Sequence, residues 1–395
     1  MFSPATLPPA SEMALKHSHA VQLMIRDKIL AAGGWISFEQ FMNLALYAPG
    51  MGYYSSGTTK LGSAGDFVTA PEISSLFGRT LAQQVAQISK QINPADILEF
   101  GAGSGKLALD LLLELEKLDA LPRKYFILDV SAELRQRQQM LLNNQAPHLL
   151  HLIEWLQQLP EQFTGIIFAN EVLDAMPVHL VNWHGNTILE RGVTWQDAQF
   201  AWQDRAIQNA QLLLIADQLA QQINPSNDCS CSFISEVNLA ASYFIRSLAD
   251  ILQEGVIILI DYGFGRTEYY HPQRNQGTLM CHYRHYAHSD PFFLPGLQDI
   301  TSHVDFSAIT QAAENNGLLL TGYTTQAYFL INCGITEILS QISAEDIHHY
   351  LPQANQLQKL ISPAEMGELF KVIAFSKNFS NCLIGFRSGD MSRLL

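Results

Sequence analysis

Short, continuously apolar runs that close on an acidic residue recur through the middle of this chain, and they restrict its possible folds more than any other feature. The run Ile97-Leu98-Glu99-Phe100 passes directly into Gly101-Ala102-Gly103-Ser104-Gly105. Tyr125-Phe126-Ile127-Leu128 stops at Asp129, Gly165-Ile166-Ile167-Phe168-Ala169 leads to Asn170-Glu171, and Val256-Ile257-Ile258-Leu259-Ile260 stops at Asp261. Leu152-Ile153 is a weaker run of the same kind. Strands without polar alternation are buried on both faces. An apolar helix carrying Leu107, Leu109, Leu111, Leu112 and Leu115, and a polar helix from Ser131, supply the crossovers that a parallel sheet requires. The expectation is an α/β fold, with a doubly wound, Rossmann-like core and a mostly parallel sheet.

That core does not use up 395 residues. At ~150 residues per domain the length allows two domains or one enlarged by insertions. Residues 1–90 read as an N-terminal arm and helical cap with a Gly-rich loop. In it Ser37-Phe38-Glu39-Gln40 has capping-box spacing before a helix that stops near Pro49-Gly50, and Thr69-Ala70-Pro71-Glu72 opens a second helix toward Lys90. Residues 91–178 read as the first part of the core. From Asn170 to Val256 there are 86 positions, far more than one crossover needs. An insertion over 179–254 is expected there, with a hairpin over Leu180–Trp195 turning at His184-Gly185-Asn186, plus a helix. Residues 255–395 complete the core with C-terminal strands and a long loop, Tyr262–Asp305, whose length suggests a lid or binding loop.

Lys and Arg number 23 against 37 Asp and Glu, a formal charge of −14, which disfavours the basic stripe of a nucleic-acid binder. Five cysteines lie far apart without a Cys-x-x-Cys pair, as free thiols of a reducing compartment would. With neither an apolar signal core nor an Arg-rich leader in the first 30 residues, and no 18-residue apolar run, the expectation is a cytoplasmic chain without membrane insertion.

The glycine turn admits few ligands. A P-loop needs four residues between its glycines and Ser or Thr after the lysine, whereas three separate Gly101 from Gly105 and Leu107 follows Lys106. A dinucleotide fingerprint would place its third glycine at Lys106. Glu99, two residues before Gly101, would repel a pyrophosphate. S-adenosylmethionine carries no phosphate, and its sulfonium and amino groups suit an acidic turn. Asp129, 24 positions after Gly105, is placed to accept hydrogen bonds from ribose hydroxyls, as an acid about 20 residues on does in dinucleotide folds. A glycine turn of an unrelated α/β protein is the competing reading.

Glu99-Phe100-Gly101-Ala102-Gly103-Ser104-Gly105 resembles the first motif of S-adenosylmethionine-dependent methyltransferases. Longer segments resemble the MidA-like family, which includes the mitochondrial complex I assembly methyltransferase. These are residues 47–54 (Tyr-Ala-Pro-Gly-Met-Gly-Tyr-Tyr), 65–72 (Gly-Asp-Phe-Val-Thr-Ala-Pro-Glu), 170–178 (Asn-Glu-Val-Leu-Asp-Ala-Met-Pro-Val), 260–264, 296–306 and 366–372. The resemblance spans roughly residues 15–386 and departs from the family at Asp129, where glutamate is more usual. It implies a Rossmann-like methyltransferase fold, S-adenosylmethionine as cofactor, and methyl transfer to an arginine of a protein partner such as a respiratory complex I subunit. A small-molecule or RNA acceptor, or a non-catalytic assembly factor that keeps the cofactor fold, are the alternatives.

The residues that would carry this chemistry follow. Glu99, Gly101, Gly103, Gly105, Asp129 and Asn170 are expected at the cofactor. Asp66 is a candidate cofactor or lid contact, or a loop cap. Glu171 and Asp174 are the candidate catalytic pair. They would share one face if the chain turned helically after the fourth strand, and two carboxylates there could grip a guanidinium in bidentate fashion. The competing role is to cap and buttress the adjacent helix. Glu236 could reach the cleft from the insertion or hold a surface role, and Asp261, ending the fifth strand at the carboxyl edge, is placed at the cleft without an assigned role. Cys281, His282, His285 and His288 fall within eight positions, but their spacing matches no closed zinc site, so packing is preferred and no metal is expected.

Overall fold

The computed structural model describes residues 7–56, 69–92, 94–223, 232–343 and 345–395. The chain divides into two compact units: Met1–Phe67, Leu173–Tyr243 and Phe264–Asp305 in one, and Val68–Val172, Phe244–Gly263 and Phe306–Leu395 in the other.

The second of these is built on the apolar runs. Its sheet strands are here β1 (Asp96–Phe100), β2 (Tyr125–Leu128), β3 (Ile153–Leu156), β4 (Phe163–Asn170), β5 (Leu252–Phe264), β6 (Leu319–Thr325) and β7 (Phe370–Lys377). They lie in the order β6-β7-β5-β4-β1-β2-β3. The contacts from β5 through β4, β1 and β2 to β3 are parallel, and β7 runs antiparallel between β5 and β6. The expected α/β, mostly parallel sheet is what forms.

Helices make the core dry. Lys106–Lys117 buries Leu107, Leu109, Leu111, Leu112 and Leu115, each contributing about 1.5–3 kcal/mol relative to exposure. They join Phe77, Leu81, Val85, Ile97, Ile166, Ile258 and Val372 in one cluster. Ser131 begins the next helix, its Oγ accepting from the Leu134 amide at 3.3 Å.

Thr69 corrects an expectation. It makes no side-chain cap, and the helix it opens runs only over Ala70–Ile73. Ser74 is extended (φ −156°) and caps a separate helix, Ser75–Ser89. Proline at the start preorganises the first turn, but the Ser74-Ser75 pair offers a second cap that restarts the chain.

The other unit draws on three stretches distant in sequence. Ser37 caps the helix Phe38–Tyr47 as its spacing predicts, accepting from the Gln40 amide at 3.1 Å. The expected hairpin is present as His179–His184 against Thr187–Gln196, with Gly185-Asn186 at the turn. It is one part of a larger antiparallel sheet. Ile36-Ser37 pairs with Gly192-Val193 on one side, Ser232–Val237 pairs with His179–His184 on the other, and Gln199–Ala206 adds to Thr187–Gln196. The turn into that last strand is Asp197-Ala198, both with positive φ (48° and 60°). Without Gly or Asn it carries no recognisable turn signature.

The stretch 262–305 was expected as a structureless loop. Instead it holds a three-stranded sheet, Tyr286–His288, Met280–Tyr283 and Asp299–Thr301. Strands of three or four residues are too short for a two-residue period to show. This stretch and residues 1–56 group with the insertion rather than with separate neighbours, and the helix Ser75–Ser89, placed in the cap by sequence, packs into the core cluster. The expected boundaries at 90, 178 and 254 therefore do not coincide with the compact units.

Candidate active site

The parallel strands end in register. Leu128, Phe100, Ala169 and Leu259 are successive partners across β2, β1, β4 and β5. One residue further on, Asp129, Gly101, Asn170 and Ile260 therefore form a row along the carboxyl edge of the sheet. Open α/β sheets bind ligands at that edge.

Gly101, Gly103 and Gly105 have φ of 62°, 55° and 87°, the left-handed region that side chains resist. A Cβ on Gly101 would lie 2.8 Å from Val172 Cγ2, and one on Gly105 would lie 3.1 Å from Gln138 Cα. The turn is thus cradled between these residues and leaves the helix Lys106–Lys117 pointing its free N–H groups outward from the strand end.

The acids of this edge are held by partners that the sequence did not reveal. Asp129 is buried; its Oδ1 accepts from the Ser131 amide at 2.9 Å and its Oδ2 from Gln138 Nε2 at 2.9 Å. Gln138 Nε2 also reaches Gly103 O at 3.0 Å, while its Oε1 accepts from Trp155 Nε1 at 3.0 Å. A single glutamine therefore ties the ribose candidate to the glycine turn. Glu72, quoted only as a capping residue, accepts from the Ser104 hydroxyl inside the turn. No period or spacing could have paired two residues 32 positions apart.

Glu99 is 2% exposed, and Tyr125 Oη donates to its carboxylate at 2.7 Å. Burial raises its pKa to about 8, with the Tyr125 hydrogen bond opposing and the Asp129 charge adding to the rise. A carboxylate desolvated in this way gains by meeting a cation.

Asn170 closes β4. Its Nδ2 donates to Glu171 Oε1 at 3.1 Å, and its buried Oδ1 finds no hydrogen-bond partner among the described residues. Glu171 stands in the left-handed region (φ 53°) with its amide on Ile260 O at 2.9 Å. A non-glycine residue held there is unusual and marks functional turns. Asp261 is 1% exposed, its Oδ1 accepts from the Tyr262 amide at 2.8 Å, and Lys371 is its register partner on β7.

The helical turn expected after Asn170 does not form. Residues 171–178 are bends and turns, so three-residue spacing does not set Glu171 and Asp174 on one helix face, nor is there a helix for them to cap. The positive φ of Glu171 and Pro177 nearby prevent it. Asp174 belongs to the other compact unit, where it is 6% exposed and its carbonyl accepts from the Ser302 amide at 3.0 Å. In that unit Tyr54 Oη donates to Asp299 Oδ1 at 2.9 Å and its ring stacks on Tyr47 at 5.4 Å. Burial, with the charges of Asp299 and Asp174 among the further causes, raises the Tyr54 pKa well above its ordinary value.

Asp66 lies outside the described residues. Glu236 is a structural anchor: its Oε1 accepts from the amides of Thr278 and Leu279 at 2.8 and 2.9 Å, and its Oε2 from Thr278 Oγ1 at 3.1 Å and Tyr269 Oη at 3.2 Å. Among the described residues no three His, Cys, Asp or Glu converge as a metal site. Cys281 is buried on a strand, and His288 accepts from the Asp290 amide at 3.3 Å.

The orphaned Asn170 Oδ1, the glycine cradle and the desolvated Glu99 fit a compact, partly cationic ligand with hydroxyl and amino donors. The turn would receive its amino-acid part, Asp129 its ribose diol, and Asn170 a donor near the reacting end. S-adenosylmethionine, when bound, supplies a methyl group on a sulfonium leaving group.

Comparison with known proteins agrees with this geometry. The family model of S-adenosyl-L-methionine-dependent methyltransferases matches residues 76–324. The mitochondrial protein arginine methyltransferase NDUFAF7 of Danio rerio is 30% identical over 88% of this chain and 84% of its own length. Its homolog from Drosophila melanogaster is 28% identical over 95% of this chain and 89% of its own. A crystal structure from Burkholderia thailandensis, bound to S-adenosyl-homocysteine, shares 49% identity and superposes with a TM-score of 0.94 over 99% of this chain and all of that one. The chain therefore belongs to the MidA-like family of S-adenosyl-L-methionine-dependent methyltransferases.

Proposed function

We propose that this methyltransferase binds S-adenosylmethionine on the glycine turn and transfers its methyl group to a guanidinium nitrogen of an arginine in a protein partner. The observation that carries the acceptor reading is the similarity, over most of the chain, to relatives named protein arginine methyltransferases. The strand-end carboxylates support it: a guanidinium needs an acid to orient it and to offset charge as a proton leaves. Glu171, strained and tied to Asn170, is the acid assigned to that role. Displacement at a sulfonium asks mainly for proximity and orientation, so Glu171 acts by aligning the nitrogen. Asp174 is assigned to acceptor recognition, with the Tyr54–Asp299 pair of its own unit nearby. Asp66 is retained as a cofactor contact. By resemblance the partner is a respiratory complex I subunit.

No described helix is long and apolar enough to cross a membrane. The free thiols Cys281, Cys333 and Cys382 suit a reducing compartment, and we assign the reaction to the cytoplasm, although the relatives are named mitochondrial.

Radiolabelled methyl transfer into a lysate lacking the protein, followed by mass spectrometry of the labelled acceptor, tests the reading. Label on arginine is expected. Glu171→Gln should keep S-adenosyl-homocysteine binding and lose transfer by about 10²-fold or more, the scale of a positioned acid or base. Label on a nucleic acid or metabolite, or transfer unchanged in Glu171→Gln, would overturn it.

A further inference from the structure

The unit formed by residues 1–67, 173–243 and 264–305 contains a hollow of about 390 Å³ that the methyl-transfer reading leaves unused. Its volume is within the usual span of ligand sites, roughly 300–1,000 Å³. Glu39, Glu190 and His179 supply its charged and titratable lining, Trp35 and Tyr243 its rings, and Gln208 an amide. No lysine or arginine is among the lining residues.

The two carboxylates reach it from different elements: Glu39 lies in the first turn of the helix Phe38–Tyr47, and Glu190 on the strand Thr187–Gln196. Glu190 is 5% exposed and lies 2.7 Å from His179 Nδ1. Two carboxylates in one lining, one of them desolvated and paired with His179, with no Lys or Arg among the lining residues, favour a cation in the hollow.

Trp35 narrows the choice of cation. Its Nε1 donates to Gln203 O at 2.9 Å, which fixes the indole, and the chain's own Arg205 already lies over the ring at 5.3 Å from its centroid, so this indole accepts a guanidinium in the folded protein. Indole faces attract guanidinium, and a carboxylate at the rim supplies the in-plane hydrogen bonds that an ammonium cannot use in pairs. Tyr243, 54% exposed, provides a second ring at the mouth.

We propose that this hollow docks an exposed arginine side chain of a polypeptide, a grip additional to the arginine that is methylated. It rests on the protein-acceptor reading only for the identity of that polypeptide.

The full chain, saturated with S-adenosyl-homocysteine, is titrated with Nα-acetyl-arginine amide and with the uncharged isostere Nα-acetyl-citrulline amide. The readout is the indole N–H resonance of Trp35, assigned with Trp35→Phe. The arginine compound should shift that resonance, with citrulline at least about tenfold weaker. Glu39→Gln, at a half-buried position, and Tyr243→Ala, at an exposed one, should each weaken binding roughly threefold to tenfold. Glu171→Gln should leave this binding unaltered. Equal binding of citrulline, or affinity untouched in both Glu39→Gln and Tyr243→Ala, overturns the docking site even if arginine methylation is found. Binding that depends on Glu39 supports the site even if the labelled acceptor proves not to be arginine, so the two readings fail separately.

Discussion

The two compact units of this chain achieve burial by opposite means. In the unit of residues 68–172, 244–263 and 306–395, parallel strands such as Val256–Ile260 are apolar and buried at every position and join one large apolar cluster. The unit of residues 1–67, 173–243 and 264–305 divides its apolar burial between two smaller clusters and adds antiparallel strands of mixed character with polar anchors, among them Glu236, Arg191–Asp204 and His179–Glu190. Apolar burial is additive and tolerant of small changes, whereas a buried polar anchor fails all at once when its acceptor is removed. The first unit should thus resist conservative substitutions and respond to ligand, and the second should depend on a few single residues.

The largest expected effect tests the second unit. Glu236→Ala leaves the Thr278 and Leu279 amides and the hydroxyls of Ser235, Tyr269 and Thr278 without their acceptor. At about 1–3 kcal/mol for a buried unsatisfied group, the loss should reach about 3–5 kcal/mol. Hydrogen exchange should show residues 277–283 opening, while the strands Asp96–Phe100 and Tyr125–Leu128 stay protected. Equal deprotection of both regions would break the contrast.

An intermediate effect tests the ligand response of the first unit. S-adenosyl-homocysteine at 100 times its Kd should stabilise the chain by about 2.7 kcal/mol through linkage, read as a rise in melting temperature. Gly103→Val, at φ 55°, should abolish that rise, whereas Glu236→Ala should keep it. A rise retained in Gly103→Val would remove the ligand from the glycine turn.

The most gradual effect, small per pH unit, is that of Glu99. Burial lifts its folded pKa to about 8, from an ordinary value of 4.5. Between these values the folded state keeps a proton that the unfolded state has lost, so stability falls as pH rises through this window and levels off above about 8. The slope is at most about 1.4 kcal/mol per pH unit. Glu99→Gln should flatten it in melting curves taken without ligand from pH 5.5 to 8.5. An unchanged slope would show that Glu99 is already ionised.

The same contrast decides how much could be read in advance. Runs such as Ile97–Phe100 and Val256–Ile260 are strands in any setting that buries them, and Gly101, Gly103 and Gly105 bend the chain wherever they stand. From these the sheet, its parallel sense and the cofactor-facing edge follow. Ser37 and Ser131 marked their helices because a cap is a local hydrogen bond. Thr69 misled because the Ser74-Ser75 pair competed for the same role.

What the sequence determined by itself is therefore local: apolar period, caps, the glycine bend, and the acids that close each strand. Tertiary structure decided what those acids touch. Gln138 joins Asp129 to Gly103, Tyr125 meets Glu99, and Glu72 meets Ser104. It also decided that Ile36-Ser37 would share a sheet with residues more than 150 positions away. A hydrogen bond or a strand pairing between distant residues leaves no period in the chain. It exists only once the backbone has brought both ends together and removed the water between them.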